Sequence, residues 1–482
     1  MINSTYISPE LLSRIFSTAL SRGGDYAEVY AEQTESESLQ LMDGQVSQAT
    51  LSLLSGVGVR VLCGEKTGYA YVMSFEPEDL LRAAASASCI ADSSSPMARS
   101  SQPVACQVPS LASATLGQGG AEQPASTLYP ILTPWSDFAV TRRAACLKRL
   151  ETKALSLDAR VVKVRATLTI DNSRIQIANT LGVNVLDLRP LVSLRLSVVL
   201  QQEGKTESGF ASRQLRQGAE FLSDTLLDEL AQEAVSQASL LFEAIRPEGG
   251  EMPVVMAAGA SGILLHEAIG HAFEADFNRQ NTSIFSDRMG QMVCHPSISI
   301  VDDGTGVGDA GAQNYDDEGV PAQCTTLIED GRLVSYLHDR ISAQHYGVKP
   351  TGNGRRQSFR HAPQPRMRST YMLAGDACEE DVIHSVKRGI YAKTFTNGQV
   401  QIGAGDFTFY MKLGFLIEDG HLTAPIRDLN IIGNGPRALA DISMVADNLV
   451  IDHSAGLCGK GGQQVPVSQG LPTVLVNRLT VG

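Results

Sequence analysis

The sequence predicts an α+β protein of two domains, with helices set against largely antiparallel sheets. Three observations lead there. A chain of 482 residues exceeds what one ordinary hydrophobic core accommodates. Its apolar segments alternate with period two and meet at Asp-Gly turns, as in Asp43-Gly44, which is the pattern of hairpins. A long helical stretch at residues 219–245 stops at Pro247 and Gly249-Gly250, placing a boundary between an N-terminal domain, residues 1–246, and a C-terminal domain, residues 247–482.

Taken in order, Ser8 reads as a helix N-cap with Pro9 at the first helical position, and Leu12, Ile15, Phe16 and Ala19 form the apolar stripe that Gly23-Gly24 ends. Strands are expected at 26–33, 37–42, from 46 onward, 56–62 and 68–72, followed by a helix at 78–91. Residues 92–126 are rich in Ser, Ala, Pro, Gly and Gln with little periodicity, and are expected to be an insertion or linker without assigned function. Ser136 opens a helix to about residue 154, and strands follow at 161–170, 174–178, 183–188 and 192–200. The second half starts with a strand at 253–257 and a helix that Ser261 should cap. A strand at 297–301 runs into a literal GxGxxG at Gly306, Gly308 and Gly311. A dinucleotide site needs a helix to begin there, and the acidic stretch Asp316-Asp317-Glu318 that follows opposes one, so a glycine-rich loop is expected instead. Hairpin turns are expected again at Asp330-Gly331 and Asp419-Gly420.

The net charge of -13 argues against a general binder of nucleic acid or anionic membranes, because excess carboxylate repels both. The start of the chain has no basic region followed by an apolar core, and no apolar run reaches membrane-spanning length, so a cytoplasmic location is expected. The 8 cysteines form no CxxC pair, which makes a disulfide framework improbable there and leaves one of them open as a metal ligand.

The chemistry concentrates in residues 264–274, where His266, Glu267 and His271 interrupt an apolar, helix-forming run. Two neutral imidazoles and a carboxylate are the parts of a zinc hydrolase: ligands for the metal and a base for water. The spacing is HExxxH, and on a regular helix residues five apart diverge by about 140°. The pair can share a metal only if a wide turn with i to i+5 hydrogen bonding returns both to one face, and Gly270 tolerates such a turn. The competing reading is a buried helix whose histidines are merely hydrogen-bonded, but Glu267 beside them would be costly to bury unpaired.

Two further stretches stand out. Residues 351–368 hold five arginines and His361 among Gly and Pro, suited either to stabilising a developing oxyanion or to pairing with the many carboxylates. Cys458 lies in a glycine-rich setting, Leu457-Cys458-Gly459-Lys460-Gly461-Gly462.

With these motifs in order, and with Gly24-Asp25-Tyr26-Ala27-Glu28, Gly56-Val57-Gly58-Val59-Arg60, Asp317-Glu318-Gly319, Thr351-Gly352-Asn353-Gly354-Arg355-Arg356 and Ile432-Gly433-Asn434-Gly435-Pro436, the chain resembles the TldD/PmbA family over nearly its whole length. The resemblance implies a zinc-dependent peptidase of that family's α+β fold. It implies His266, His271 and Cys458 as ligands of one Zn2+ per chain and Glu267 as the base. It also implies a dimer, with a TldE (PmbA)-type partner subunit or a second copy, enclosing a cavity reached by unfolded peptides. Glu274 or Asp276 in place of Cys458 is the alternative third ligand, and a non-catalytic metal-stabilised scaffold is the alternative function. Arg360, His361 and Tyr371 are candidates to contact the substrate or its transition state.

Overall fold

A computed structural model describes residues 6–92, 116–117, 121–122, 128–129 and 131–482. In chain order the N-terminal half comprises α1 (Pro9–Ala19), β1 (Tyr26–Met42), β2 (Gln45–Cys63), β3 (Lys66–Val72), α2 (Pro77–Asp92), the short pair β4 (Leu116–Gly117) and β5 (Ala121–Glu122), α3 (Val140–Leu157), β6 (Val161–Asn179), β7 (Asn184–Gln202), β8 (Lys205–Leu215) and α4 (Asp224–Leu241). Then follow β9 (Gly250–Met256), α5 (Ile263–Leu265), α6 (Ala275–Arg279), β10 (Ile300–Asp303), β11 (Cys324–Glu329), β12 (Arg332–Leu333), α7 (Arg340–Tyr346), β13 (Gly354–Arg355), β14 (Gln364–Pro365), β15 (Ser369–Met372) and α8 (Glu379–His384). The chain closes with β16 (Arg388–Gln401), β17 (Asp406–Glu418), β18 (His421–Asn434), α9 (Gly435–Ala440), β19 (Ile442–Val445), β20 (Val450–Lys460), β21 (Gln463–Leu471) and β22 (Val474–Val481).

The N-terminal strands form one antiparallel sheet, ordered β3-β2-β1-β6-β7-β8. Leu12, Ile15 and Phe16 of α1 and Leu80, Ala83 and Ala84 of α2 cover its first strands, while Leu147 and Leu150 of α3 and Leu227 and Leu230 of α4 cover the rest. Ser8 caps α1, its hydroxyl accepting from the Leu11 amide. Strands β1, β2, β6 and β7 run unbroken through positions where the sequence pattern suggests breaks, because each is paired on both sides or along most of its length. The expected insertion at 92–126 lies almost wholly outside the described residues.

The second half contains two six-stranded sheets, β12-β11-β10-β15-β21-β20 and β18-β17-β16-β9-β22-β19. Each has one parallel pairing, β15 with β21 and β16 with β9, and is otherwise antiparallel. Asp43-Gly44, Asp330-Gly331 and Asp419-Gly420 all have positive φ at both residues, the conformation that matches a two-residue turn to strand twist. The glycine-rich segment after β10 forms turns with no helix following, so it offers no dinucleotide cradle. Among the described residues no helix is long and apolar enough to cross a membrane.

The largest core joins residues of both second-half sheets, and Leu264, Leu265, Ala268, Ile269, Ala272 and Phe273 lie within it. The His/Glu segment is therefore fixed on a buried platform.

Candidate metal centre

The segment 263–273 changes helical form twice: α at Ile263–Leu265, π at His266–Gly270, and 3-10 at His271–Phe273. The His271 amide donates to the His266 carbonyl, an i to i+5 bond. Ser261 does not cap this segment; it lies in the preceding 3-10 turn Ala260–Gly262, and its hydroxyl sits 3.5 Å from the Ala392 carbonyl. A backbone end packed inside the core finds partners on neighbouring strands and needs no cap. Gly270 suits the packing, since a Cβ there would overlap Met367 Sδ unless that side chain shifted.

The wide turn brings the His266 and His271 rings to 5.0 Å between centroids, edge to face. Cys458 reaches them from β20, its Sγ 3.6 Å from His271 Nε2. One donor atom from each of the three residues falls within 4.8 Å of the others, and all three residues are buried. His266 Nδ1 is buried with no hydrogen-bond partner among the described residues, a cost that a bound cation would offset. Two imidazoles and a thiol are a donor set suited to zinc, and three protein donors leave a fourth position for water. The residues present thus fit a catalytic zinc.

The surroundings favour the Cys458 thiolate; for His271 burial opposes the charged ring, but Glu274 and Cys458 outweigh it and raise His271 toward the imidazolium, whose proton a bound metal would displace. Burial opposes a Cys458 thiolate, but the His266 and His271 imidazoles outweigh it and hold the thiol well below its usual range. Glu274 Oε2 lies 3.0 Å from His271 Nδ1 and fixes the ring from its far side. Burial pushes the Glu274 carboxyl up, yet Lys460, His271 and Arg366 bring it down to about 2. Lys460 Nζ is 3.1 Å from Glu274 and 2.7 Å from Asp276, and Arg366 donates to the Cys458 carbonyl. Glu274 and Asp276, the alternative third ligands, are both engaged in this outer layer.

Glu267 is half-buried against β16, where a Cβ at Gly398 would come within 3.1 Å of its Cγ. Among the described residues its carboxylate has no hydrogen bond or ion pair.

Residues 249–482 match the PmbA/TldA metallopeptidase C-terminal domain, 27–91 match its domain 1, and 133–242 its central domain. The chain belongs to the PmbA/TldD metallopeptidase family. It is 38% identical over 494 residues to the metalloprotease TldD homolog of Haemophilus influenzae, covering 100% of this chain and 98% of that protein. The zinc metalloprotease TldD homolog of Saccharolobus solfataricus is 35% identical over 247 residues, 49% of this chain and 52% of that one. The crystal structure of TldE from Thermococcus kodakarensis superposes with a TM-score of 0.73 at 19% identity, covering 98% of this chain and 99% of that chain, which shows a shared fold. The family's α+β architecture with largely antiparallel sheets is the one seen here.

Within that PmbA/TldD frame two members of the arginine-rich stretch, Arg356 and Arg368, meet carboxylates. Arg356 pairs with Glu28 and its amide donates to Asp317, while the Arg368 amide donates to Asp302. Arg360 is exposed beside Met73, His361 Nδ1 is 3.2 Å from the Ser358 hydroxyl, and the Tyr371 hydroxyl donates to Asp303 at 3.2 Å. These contacts link none of the three to the His/Cys cluster. Sequence reasoning missed Lys460 and Arg366 as site residues. Lys460 was findable: two positions after Cys458 on a strand, it shares that residue's face.

Proposed function

We propose that this chain is a zinc-dependent peptidase that cleaves unstructured peptides, with Zn2+ held by His266, His271 and Cys458 and with Glu267 as the base. The observation that supports it best is the cluster of three donor atoms, on three buried residues, within 4.8 Å of one another, with Glu267 adjacent in sequence to His266 and, among the described residues, without a hydrogen bond or ion pair. A zinc ion held by these three residues would supply Lewis acidity toward a carbonyl and a water. Glu267 would accept a proton from the attacking water and return it to the leaving amine. Glu274 keeps the His271 ring oriented throughout, and Lys460 and Arg366 keep Glu274 charged. A thiolate ligand would place more negative charge on a bound metal than a third imidazole, so slow turnover is expected.

Cys458 lies on β20, the last strand of its sheet, and an extended peptide can add to such an edge through main-chain hydrogen bonds with little sequence preference. Arg360, which is exposed, and His361 and Tyr371, which bond Ser358 and Asp303, stand as candidates to contact the substrate away from the metal ligands. In this reading residues 247–482 carry the chemistry and residues 1–246 frame it. A TldE (PmbA)-type subunit or a second copy completes the enclosing cavity, and the work is cytoplasmic. The described cysteines are all free, in keeping with a reducing compartment.

The test is cleavage of an unfolded peptide by the purified chain, alone and with a TldE-type subunit, comparing wild type with Glu267→Gln at matched zinc content. Loss of at least about 100-fold in rate with zinc retained supports the assignment. Equal rates, or no cleavage in any pairing with zinc bound, favour a metal-stabilised scaffold.

A further inference from the structure

A second polar site lies where the N-terminal sheet meets β21. A cavity of about 340 Å³ is lined there by Arg189, Arg216, Arg355 and Arg356, together with Glu32 and Asp171. Two of the guanidiniums are accounted for: Arg189 pairs with Asp187 and Asp317, and Arg356 pairs with Glu28. Arg216 and Arg355 are not. Both are buried, at 3% and 1% exposure, and neither has a carboxylate within ion-pairing distance among the described residues. Arg216 donates to the Pro190 carbonyl, and Arg355 to the Met367 and Pro466 carbonyls. The Nε of each is buried with no partner.

Burying a guanidinium without a counter-charge is costly, and a ligand anion removes the cost. The two carboxyls in the wall do not supply it. Glu32 already accepts from the Phe359 amide and the Thr34 hydroxyl, and Asp171 from Ser36. Burial pushes both carboxyls up toward the neutral form and pushes Arg216 and Arg355 down, to about 10 and about 9. An oxyanion between the two arginines moves both guanidiniums back up toward their usual range, and it pushes the two carboxyls further toward the neutral form, which removes their repulsion of the ligand.

The location ties the cavity to the metal centre. Val465, in its wall, is the cross-strand partner of Cys458, about 5 Å away between Cα atoms. Arg355 holds Met367, the residue packed on Gly270 of the wide turn. We infer that Arg216 and Arg355 form a subsite that binds the C-terminal carboxylate of a peptide whose chain runs toward the His266, His271 and Cys458 cluster. The inference rests on the peptidase reading, and it makes a free C-terminus a recognition element. A planar carboxylate matches the forked donors of a guanidinium, and two such forks favour it over a neutral amide.

The test compares an unstructured pentapeptide with a free C-terminus and its C-terminal amide, by calorimetric titration into the zinc-loaded Glu267→Gln chain. The free acid is expected to bind about 10- to 100-fold more tightly. Inorganic phosphate should compete with the acid and leave the amide untouched. Arg216→Met and Arg355→Met should each remove the difference while amide binding persists. Arg355 also ties two backbone carbonyls, so the Arg216 variant and the wild-type-pocket comparison stand without it. Equal affinity for acid and amide overturns the inference; if phosphate alone binds, the site serves a free small anion. Binding is read without turnover, so a failure of the peptidase reading, seen as undiminished cleavage by Glu267→Gln, remains distinguishable.

Discussion

His271 is held from two sides, by Cys458 Sγ at 3.6 Å on one ring nitrogen and by Glu274 at 3.0 Å on the other. The carboxylate orients the ring and raises its basicity as a ligand, so Glu274→Ala should weaken zinc binding by about 10- to 100-fold, measured by competition with a chromogenic chelator. Unchanged affinity would mean that Glu274 serves only to neutralise Lys460. The residue types of the site were legible in the sequence because a helix-forming apolar run has no use for His-Glu and a second His. The layer behind them was not. Glu274 could equally have been a ligand on spacing alone, and only its position on the far nitrogen of His271 separates the two roles.

The decisive element is the π turn His266–Gly270. The HExxxH spacing demanded a wide turn for shared ligation, and Gly270 was readable as a residue that tolerates one, but the packing reason for a glycine there was not. That reason is tertiary: Met367, nearly one hundred positions away, occupies the space over Gly270. Gly270→Ala should therefore cost about 1–3 kcal/mol in urea unfolding and reduce zinc content, since the overpacked turn must shift a histidine. Full stability and full zinc occupancy would show that Met367 swings aside freely. Hairpins were the most legible elements, because a two-residue turn needs positive φ and Asp-Gly supplies it cheaply. Ser261 was misread because its sequence neighbours resemble an exposed helix start, whereas the segment begins inside the core.

Across the whole molecule, buried ion pairs join the halves. Arg60 bonds Glu28 at 3.3 Å and Glu318 at 2.8 Å, and Arg356 reaches back to Glu28. The partners are 258 and 328 positions apart, so no local pattern could pair them, and the arginine stretch could be read as catalytic or structural with equal ease. A second tie sits at the surface, where Arg427 bridges Asp428 at 2.8 Å, Glu207 of β8 and the Leu241 carbonyl. Burial opposes charge on Asp428, but the Tyr410 hydroxyl, Arg427 and Lys412 hold its carboxyl down to about 2. A depressed carboxyl stabilises the fold above its unfolded value near 3.9 and loses that contribution as pH falls toward 2. Asp428→Asn, which keeps a residue tolerant of its positive φ, should lower stability by about 1–2 kcal/mol at pH 7. The gap from wild type should narrow between pH of about 4 and about 2 in thermal unfolding. A gap that stays constant over that range would remove Asp428 from the interface's charge balance.

The central claim, that the wide turn and β20 place two imidazoles and one thiolate on a single zinc, is tested most directly by X-ray absorption at the zinc edge. The spectrum should show one sulfur at about 2.3 Å and nitrogen or oxygen neighbours at about 2.0–2.1 Å, with the sulfur lost in Cys458→Ala. A wild-type shell without sulfur, or a sulfur that survives in Cys458→Ala, would contradict it.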